Sequence, residues 1–309
     1  KEYRRQRQMC IRDRLASLLL NTLHSVPLYG SRITPYTDGK SKMEALLAEI
    51  ARAKHHIHIQ YYILNDDETG RRLRDALIAK AREGVEVRIL YDDVGSSGAK
   101  KSFFRSMRSE GIEVYAFLHV KFPLFTSKVN YRNHRKIVVI DGRIGFIGGM
   151  NIADRYVRGT EWGSWRDTHF RIEGSGAAGL QASFLSDWSA TTKRHIAGAE
   201  YYPAAERHTD DILQIVPSGP FGKWRALLQA DSYAVSNARK RIWIQTPYYL
   251  PSDVLNSALQ VAALAGIDVR LMLPARSDSK VVDLASHSYL DDMMKAGVKI
   301  LFYLSLIHI

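Results

Sequence analysis

Apolar and polar positions follow two periods along the chain, and the switches between them mark its elements. Residues Met43–Ala53 place Leu46, Leu47, Ile50 and Ala53 at helical spacing, which predicts an amphipathic helix. The run His56–Ile63 alternates at period two and reads as a strand. Helical spacing returns over Thr69–Arg82 and stops at Gly84, a residue that accepts the left-handed cap conformation. Val85–Tyr91 is a second strand, Asp92–Gly98 a loop, Lys101–Ser109 a helix closed by Gly111, and Ile112–Phe117 a third strand.

The same order recurs later. Trp224–Asn237 reads as a helix, Arg241–Thr246 as a strand, Asp253–Leu264 as a helix capped near Gly266 and Ile267–Leu273 as a strand. Leu284–Lys295 is a helix ending at Gly297, and Val298–Tyr303 is a strand. Gln60 matches Gln245, Gly84 matches Gly266 and Gly111 matches Gly297, at offsets of 185, 182 and 186 residues. Near-constant offsets in different elements are the mark of a duplication. Alternating strands and helices predict an α/β fold, a duplicated sheet sandwiched by helices. The first half is read as 15–192, the linker as 193–208 and the second half as 209–303. The first half continues into the segment Asn133–Asn151. His134 lies 23 residues after Gly111, and the same step from Gly297 passes residue 309, so the second half is expected to be incomplete.

Composition adds a partner class. With 46% hydrophobic and 25% charged residues, the 309-residue chain is globular, and disordered or collagenous classes are excluded. Lys+Arg 44 against Asp+Glu 32 gives a net +12, which suits phosphate-rich partners, either nucleic acid or an anionic membrane. The single cysteine, Cys10, excludes an internal disulfide and a thiolate zinc site. No uncharged apolar run approaches the roughly 18 residues of a spanning helix. Residues 1–14 hold six basic and two acidic side chains, a net +4. They are read as a disordered or non-native tail, residues 304–309 as a non-native end, and the remaining +8 as the charge of the folded part.

Candidate chemistry concentrates in NHRKIVVIDGRIGFIGGMN. It holds His134-x-Lys136, then Asp141, then Gly148-Gly149-x-Asn151. On a strand His134 and Lys136 point to one face. An imidazole beside an ammonium suits a phosphodiester: Lys136 neutralises non-bridging oxygens while His134 attacks phosphorus to give a phosphohistidine. Gly148 and Gly149 would let backbone approach the phosphate, and Asn151 would donate a further hydrogen bond. Asp141, of opposite parity, is assigned to orienting and charge support.

His-x-Lys-x4-Asp-x6-Gly-Gly-x-Asn resembles the signature of the phospholipase D superfamily. Gln60-Tyr-Tyr-Ile-Leu, Asp92-Asp-Val-Gly-Ser, Gly149-Met-Asn-Ile-Ala-Asp, Trp165-Arg-Asp-Thr-His169, Phe184-Leu-Ser-Asp-Trp188 and Thr246-Pro-Tyr-Tyr-Leu-Pro251 are similar to bacterial cardiolipin synthases. The resemblance spans roughly Leu15 to Tyr303. It implies a phospholipase D-like mixed sheet in two pseudo-symmetric halves, each giving one His-Lys-Asp set to a shared site without metal or cofactor. One histidine becomes phosphatidylated while the other protonates the leaving glycerol. It also implies phosphatidylglycerol as substrate, a membrane surface as partner, a bacterial inner-membrane location and no nucleic acid. The chain departs from the family's pattern in lacking a second set, since His308 has no lysine two residues on, and in lacking N-terminal membrane helices, and both gaps are read as those of a fragment truncated at both ends.

Blander readings stand beside these. His55, His56 and His58 are read as a structural strand rather than a metal site, because Trp243 and basic residues occupy the corresponding places in the repeat. The loop Gly95–Ser102 lacks the Gly-Lys-Ser/Thr ending of a nucleotide loop. Trp165–His169 is either cleft wall or a strand start with an Arg–Asp pair. A hydrolase or nuclease acting on another phosphodiester, and a non-catalytic lipid-binding fragment, are the rival functions.

Overall fold

The computed structural model describes residues 2–117, 132–161, 163–219, 222–275 and 279–303, with side chains from Asp13 onward. His308 and the segment 304–309 lie outside them. The chain divides into two units, Leu28–Leu213 and Lys1–Pro27 with Gln214–Ile309.

The first unit is built on seven strands. They are β2 (Arg32–Asp38), β3 (His56–Tyr61), β4 (Glu86–Asp92), β5 (Glu113–Phe117), β6 (Ile137–Ile140), β7 (Ile144–Gly148) and β8 (Arg166–Glu173), in the order β2-β8-β7-β6-β3-β4-β5. β3, β4 and β5 run parallel, and the other pairings are antiparallel, so the sheet is mixed as expected. Short strands β1 (Leu28–Tyr29) and β9 (Ile212–Leu213) pair beside it.

Period-two alternation sends Ile57, Ile59, Val87 and Ile89 to one face, where they bury against Met43, Leu46 and Ile50 of α2 (Gly39–Arg52) and Leu73 and Leu77 of α3 (Glu68–Arg82). Phe103 and Phe104 of α4 (Lys101–Arg108) complete that layer. His56, His58, Gln60 and Leu90 face the other way, toward Phe184, Leu185 and Trp188 of α6 (Ser175–Thr192). Asp38 and Asp67 cap α2 and α3, accepting from Ser41 N at 2.8 Å and Gly70 N at 3.0 Å. The short α5 (Asp154–Arg158) packs against α2.

The second unit carries the parallel sheet β10 (Arg241–Gln245), β11 (Asp268–Pro274) and β12 (Lys299–Tyr303). α7 (Ala226–Asn237), α8 (Asp253–Leu264), α9 (Lys280–His287) and α10 (Leu290–Lys295) accompany it, and its core joins Ile242, Leu259, Val269, Leu271 and Met293.

Three features differ from the sequence reading. The expected helix Leu284–Lys295 is broken into α9 and α10 at Ser288 and Tyr289, where Tyr289 N donates to Ser286 O at 3.2 Å and Ser288 Oγ to Ala285 O at 2.7 Å. Residues 15–27 belong to the second unit rather than the first, as part of α1 (Glu2–Leu23), a continuous helix that packs on α7. The segment 193–208 folds onto the first unit: Tyr201 is buried, and its hydroxyl donates to Glu86 at 2.7 Å. No helix among the described residues is long and apolar enough to cross a membrane.

Candidate active site

The site gathers at the carboxyl ends of β3 and β4, where strand ends of an open α/β sheet leave a crevice. Asp92 closes β4 with Oδ1 accepting from Val94 N and Gly95 N, both at 3.0 Å. Its other oxygen accepts from Asn133 N at 3.3 Å. The loop 132–136 is thereby tied to the sheet before β6 begins.

Asp187, on α6, is the second anchor of that loop. Its Oδ2 accepts from Gln60 Nε2 at 2.7 Å, from Asn133 Nδ2 at 2.9 Å and from the Arg135 guanidinium. Asn133 Oδ1 accepts from Arg135 N at 3.0 Å, a local turn that keeps this run out of the ladder. His134 and Lys136 therefore lie on an irregular loop rather than on the strand the alternation suggests.

They still converge. The exposed imidazole of His134 stacks on the Tyr62 ring, centroids 3.8 Å apart. Lys136 Nζ reaches back to donate to His134 O at 2.6 Å and sits 5.4 Å from the same tyrosine centroid. Burial brings the Lys136 ammonium down to about 8, opposed by the charges of Asp167 and Asp92. Burial pushes the Asp167 carboxyl up to about 7, against the Thr168 amide and the charge of Lys136. Lys136 and Asp167 thus form an acid and a base with overlapping titration ranges, on a loop that also carries the exposed imidazole of His134, and such a pair can hold and move a proton at neutral pH.

The remaining motif residues do work other than that expected. A Cβ on Gly149 would lie 2.1 Å from Asp167 Oδ1, and one on Gly148 would lie 2.4 Å from Thr168 O. The glycine pair thus makes room for β8 and its Asp167, so the space expected for a phosphate is filled by protein. Asn151 is also committed: Oδ1 accepts from Ile63 N at 3.0 Å and Nδ2 donates to the Tyr156 hydroxyl at 2.7 Å.

Asp141 lies apart from these residues. It sits past the far end of β6, about 17 Å along the strand from Lys136 at ordinary strand rise. There it accepts from Lys54 N at 2.9 Å, His55 N at 2.8 Å and His56 N at 3.0 Å. Its orienting role is exerted on the entrance to β3, not on His134.

Tyr62, Asp187 and Asp167 are the residues that spacing alone did not identify. Asp167 lies within Trp165–His169, a segment that reads equally as cleft or as strand start. Beneath the site, Lys42 is fully buried with Nζ donating to the Tyr61 hydroxyl at 2.8 Å, and burial brings it down to about 7. His58 bonds Gln181 and Arg88, each at 3.1 Å, and no group of three His, Cys, Asp or Glu among the described residues could hold a metal ion.

A mixed sheet between helix layers, with a His-x-Lys loop over the ends of its parallel strands, defines the chain as a phospholipase D-like α/β protein. The solved phosphatidylserine synthase of Haemophilus influenzae has the same fold, with a TM-score of 0.68 at 13% identity over 96% of this chain and 79% of that one. The family model described as cardiolipin synthase, PLD-like domain, matches residues 46–188 and 233–309. The chain is 46% identical to cardiolipin synthase 2 of Bacillus cereus over 86% of its own length and 52% of that protein. It is 40% identical to the major cardiolipin synthase ClsA of Bacillus subtilis over 94% of its length and 61% of that protein. The chain belongs to the cardiolipin synthase family. It spans between half and two thirds of the length of these two relatives.

Proposed function

We propose that the chain supplies one half-site of a phosphatidyltransferase that joins two phosphatidylglycerols into cardiolipin at the bacterial cell membrane. An imidazole nitrogen of His134 attacks the phosphorus of the first lipid. The bond to the glycerol oxygen breaks, that oxygen takes a proton, and a phosphatidyl-histidine remains. The hydroxyl of a second phosphatidylglycerol then attacks phosphorus, gives up its proton, and releases His134 with cardiolipin. Lys136 balances charge on the non-bridging oxygens, and Asp167 accepts or returns a proton beside it. Gly148, Gly149, Asn151 and Asp141 hold this geometry in place. The second histidine comes from a further His-Lys-Asp set.

The observation that carries the reading is the accessible His134 ring, stacked on Tyr62 with the Lys136 ammonium at its carbonyl, in a member of this family. The test uses a longer protein holding this sequence and a second His-Lys-Asp set, supplied with phosphatidylglycerol. Cardiolipin and glycerol are expected in equal amounts, with cardiolipin lost on His134→Ala. No cardiolipin, undiminished yield from the variant, or cleavage of DNA without lipid turnover overturns it.

A further inference from the structure

The second unit contains a cavity that the chemistry above does not use. It has a volume of about 880 Å³, within the roughly 300–1,000 Å³ of small-molecule sites. Leu18 and Thr22 of α1 form one wall, Leu228 and Tyr233 of α7 the other, with Trp224 and Val254 also lining it. Lys223 and Arg225 line it too, and both are exposed. Lys223 Nζ lies 5.2 Å from the Trp224 ring centroid, and neither cation has an ion-pair partner among the described residues.

Val254 links this cavity to the outer face of α8. Val254, Val261 and Leu264 are 62%, 64% and 71% exposed and share one helix face, and Asp253 is the helix's one charged residue. The corresponding helix of the first unit, α3, instead exposes Arg71 and Arg72, each ion-paired, to Asp66 and Glu44. An uncharged helix face is costly to leave in water and suited to the boundary between headgroups and acyl chains. A cation beside a tryptophan next to Leu18, Leu228 and Val254 matches the order of groups along a phospholipid, with phosphate outside and hydrocarbon inside.

We propose that this cavity takes an acyl chain of an anionic phospholipid, whose phosphate rests on Lys223 and Arg225. The proposal relies on the phosphatidylglycerol reading above for the identity of the lipid, and it adds where on this chain the hydrocarbon goes. It also makes the face of α8 the surface that meets the bilayer.

Phosphatidylglycerol vesicles brominated along the acyl chain, mixed with the 309-residue chain, test it through tryptophan quenching. Quenching is expected for the parent chain and should fall by most of its amplitude in Trp224→Phe. Val254→Glu, at an exposed position that leaves the fold intact, should abolish it. Lys223→Glu with Arg225→Glu should weaken vesicle binding about tenfold or more while circular dichroism is unchanged. Absence of quenching, equal quenching in Trp224→Phe or Val254→Glu, or equal binding to neutral phosphatidylcholine vesicles each overturns the proposal. The His134→Ala chain should quench like the parent. Failure of phosphatidyl transfer with quenching intact therefore counts against the catalytic reading alone, and lost quenching with intact transfer counts against the cavity alone.

Discussion

The two parallel ladders, β3-β4-β5 and β10-β11-β12, share strand order and much of their chemistry, yet among the described residues the face opposite the main core is covered in the first and open in the second. Arg88 pairs with Glu86 and Glu113, as Arg270 pairs with Asp268. In the first ladder that face packs on α6, and Trp188 is fully buried between Phe184 and the Tyr115 ring. In the second, Trp243 and Leu301 on the corresponding face are 56% and 39% exposed. The matched glutamines show what the shielding does. Gln60 donates into Asp187, which also holds Asn133 and Arg135 and so fixes the loop of His134. Gln245 makes no side-chain hydrogen bond among the described residues. The ladder alone does not make a site; the helix laid across it does.

The sharpest way to break this comparison is to truncate the tryptophan that lies on the face opposite the main core of each ladder. Trp188→Ala should cost about 3–5 kcal/mol, because a large buried ring leaves a cavity that cannot collapse. Trp243→Ala should stay within about 0.5 kcal/mol. Urea unfolding of the two variants measures both, and similar losses would show that the coverage is not what separates the ladders.

A second difference lies at the edge. β3 is extended by β6, β7 and β8, which bring Asp167 to the site, whereas among the described residues β10 is an edge strand of its sheet. Asp167 ionises near 3.9 in an unfolded chain but is pushed up to about 7 here by burial. Between those values the unfolded chain has lost the proton that the folded one keeps, so this contribution to stability is present below about pH 4 and lost as pH rises through 7. Asp167→Asn should remove that loss, gaining on the order of 3 kcal/mol relative to the parent between pH 4 and pH 7. A gap between parent and variant that does not grow over this range would contradict the burial of a titrating carboxyl.

Asp187→Ala tests the anchoring itself. It leaves Gln60, Asn133 and Arg135 without their shared acceptor, at a cost of about 2–3 kcal/mol with Arg135 partly hydrated. Gln245→Ala, at the matching point of the second ladder, should change stability by about 0.5 kcal/mol or less. Loss of the His134 loop's order in Asp187→Ala, read from faster amide exchange at 133–136, should accompany the first change and not the second.

The ladders, their helices and the duplication were legible because burial imposes period two and period 3.6 directly on residue choice. His134 and Lys136 were legible because two reactive side chains stood at a short fixed spacing. What remained hidden was long-range. Asp187 lies 54 residues from Asn133 in sequence, and nothing in either local pattern marks the pair. The glycine pair was recognised as a close approach, but sequence does not say what approaches, and here it is β8.

Asp141 does its orienting away from His134, and it carries the finest of these tests. Its left-handed backbone, φ +52, turns β6 toward β7, and its carboxylate gathers three successive amides at the start of β3. Only glycine, asparagine and aspartate adopt that backbone cheaply, and only a carboxylate offers two oxygens to three donors. Asp141→Ala should therefore cost about 1–2 kcal/mol, and Asp141→Asn less, since it keeps the turn and one acceptor. Neither should move the titration of Lys136, which is buried about 17 Å along the strand. A shift in the Lys136 titration in Asp141→Asn, followed by NMR of the ε-carbon, would return this residue to the site. An unchanged titration with a lowered unfolding midpoint leaves its place in the motif to the geometry of the strand pair β3 and β6, which delivers both Tyr62 and His134 to one edge.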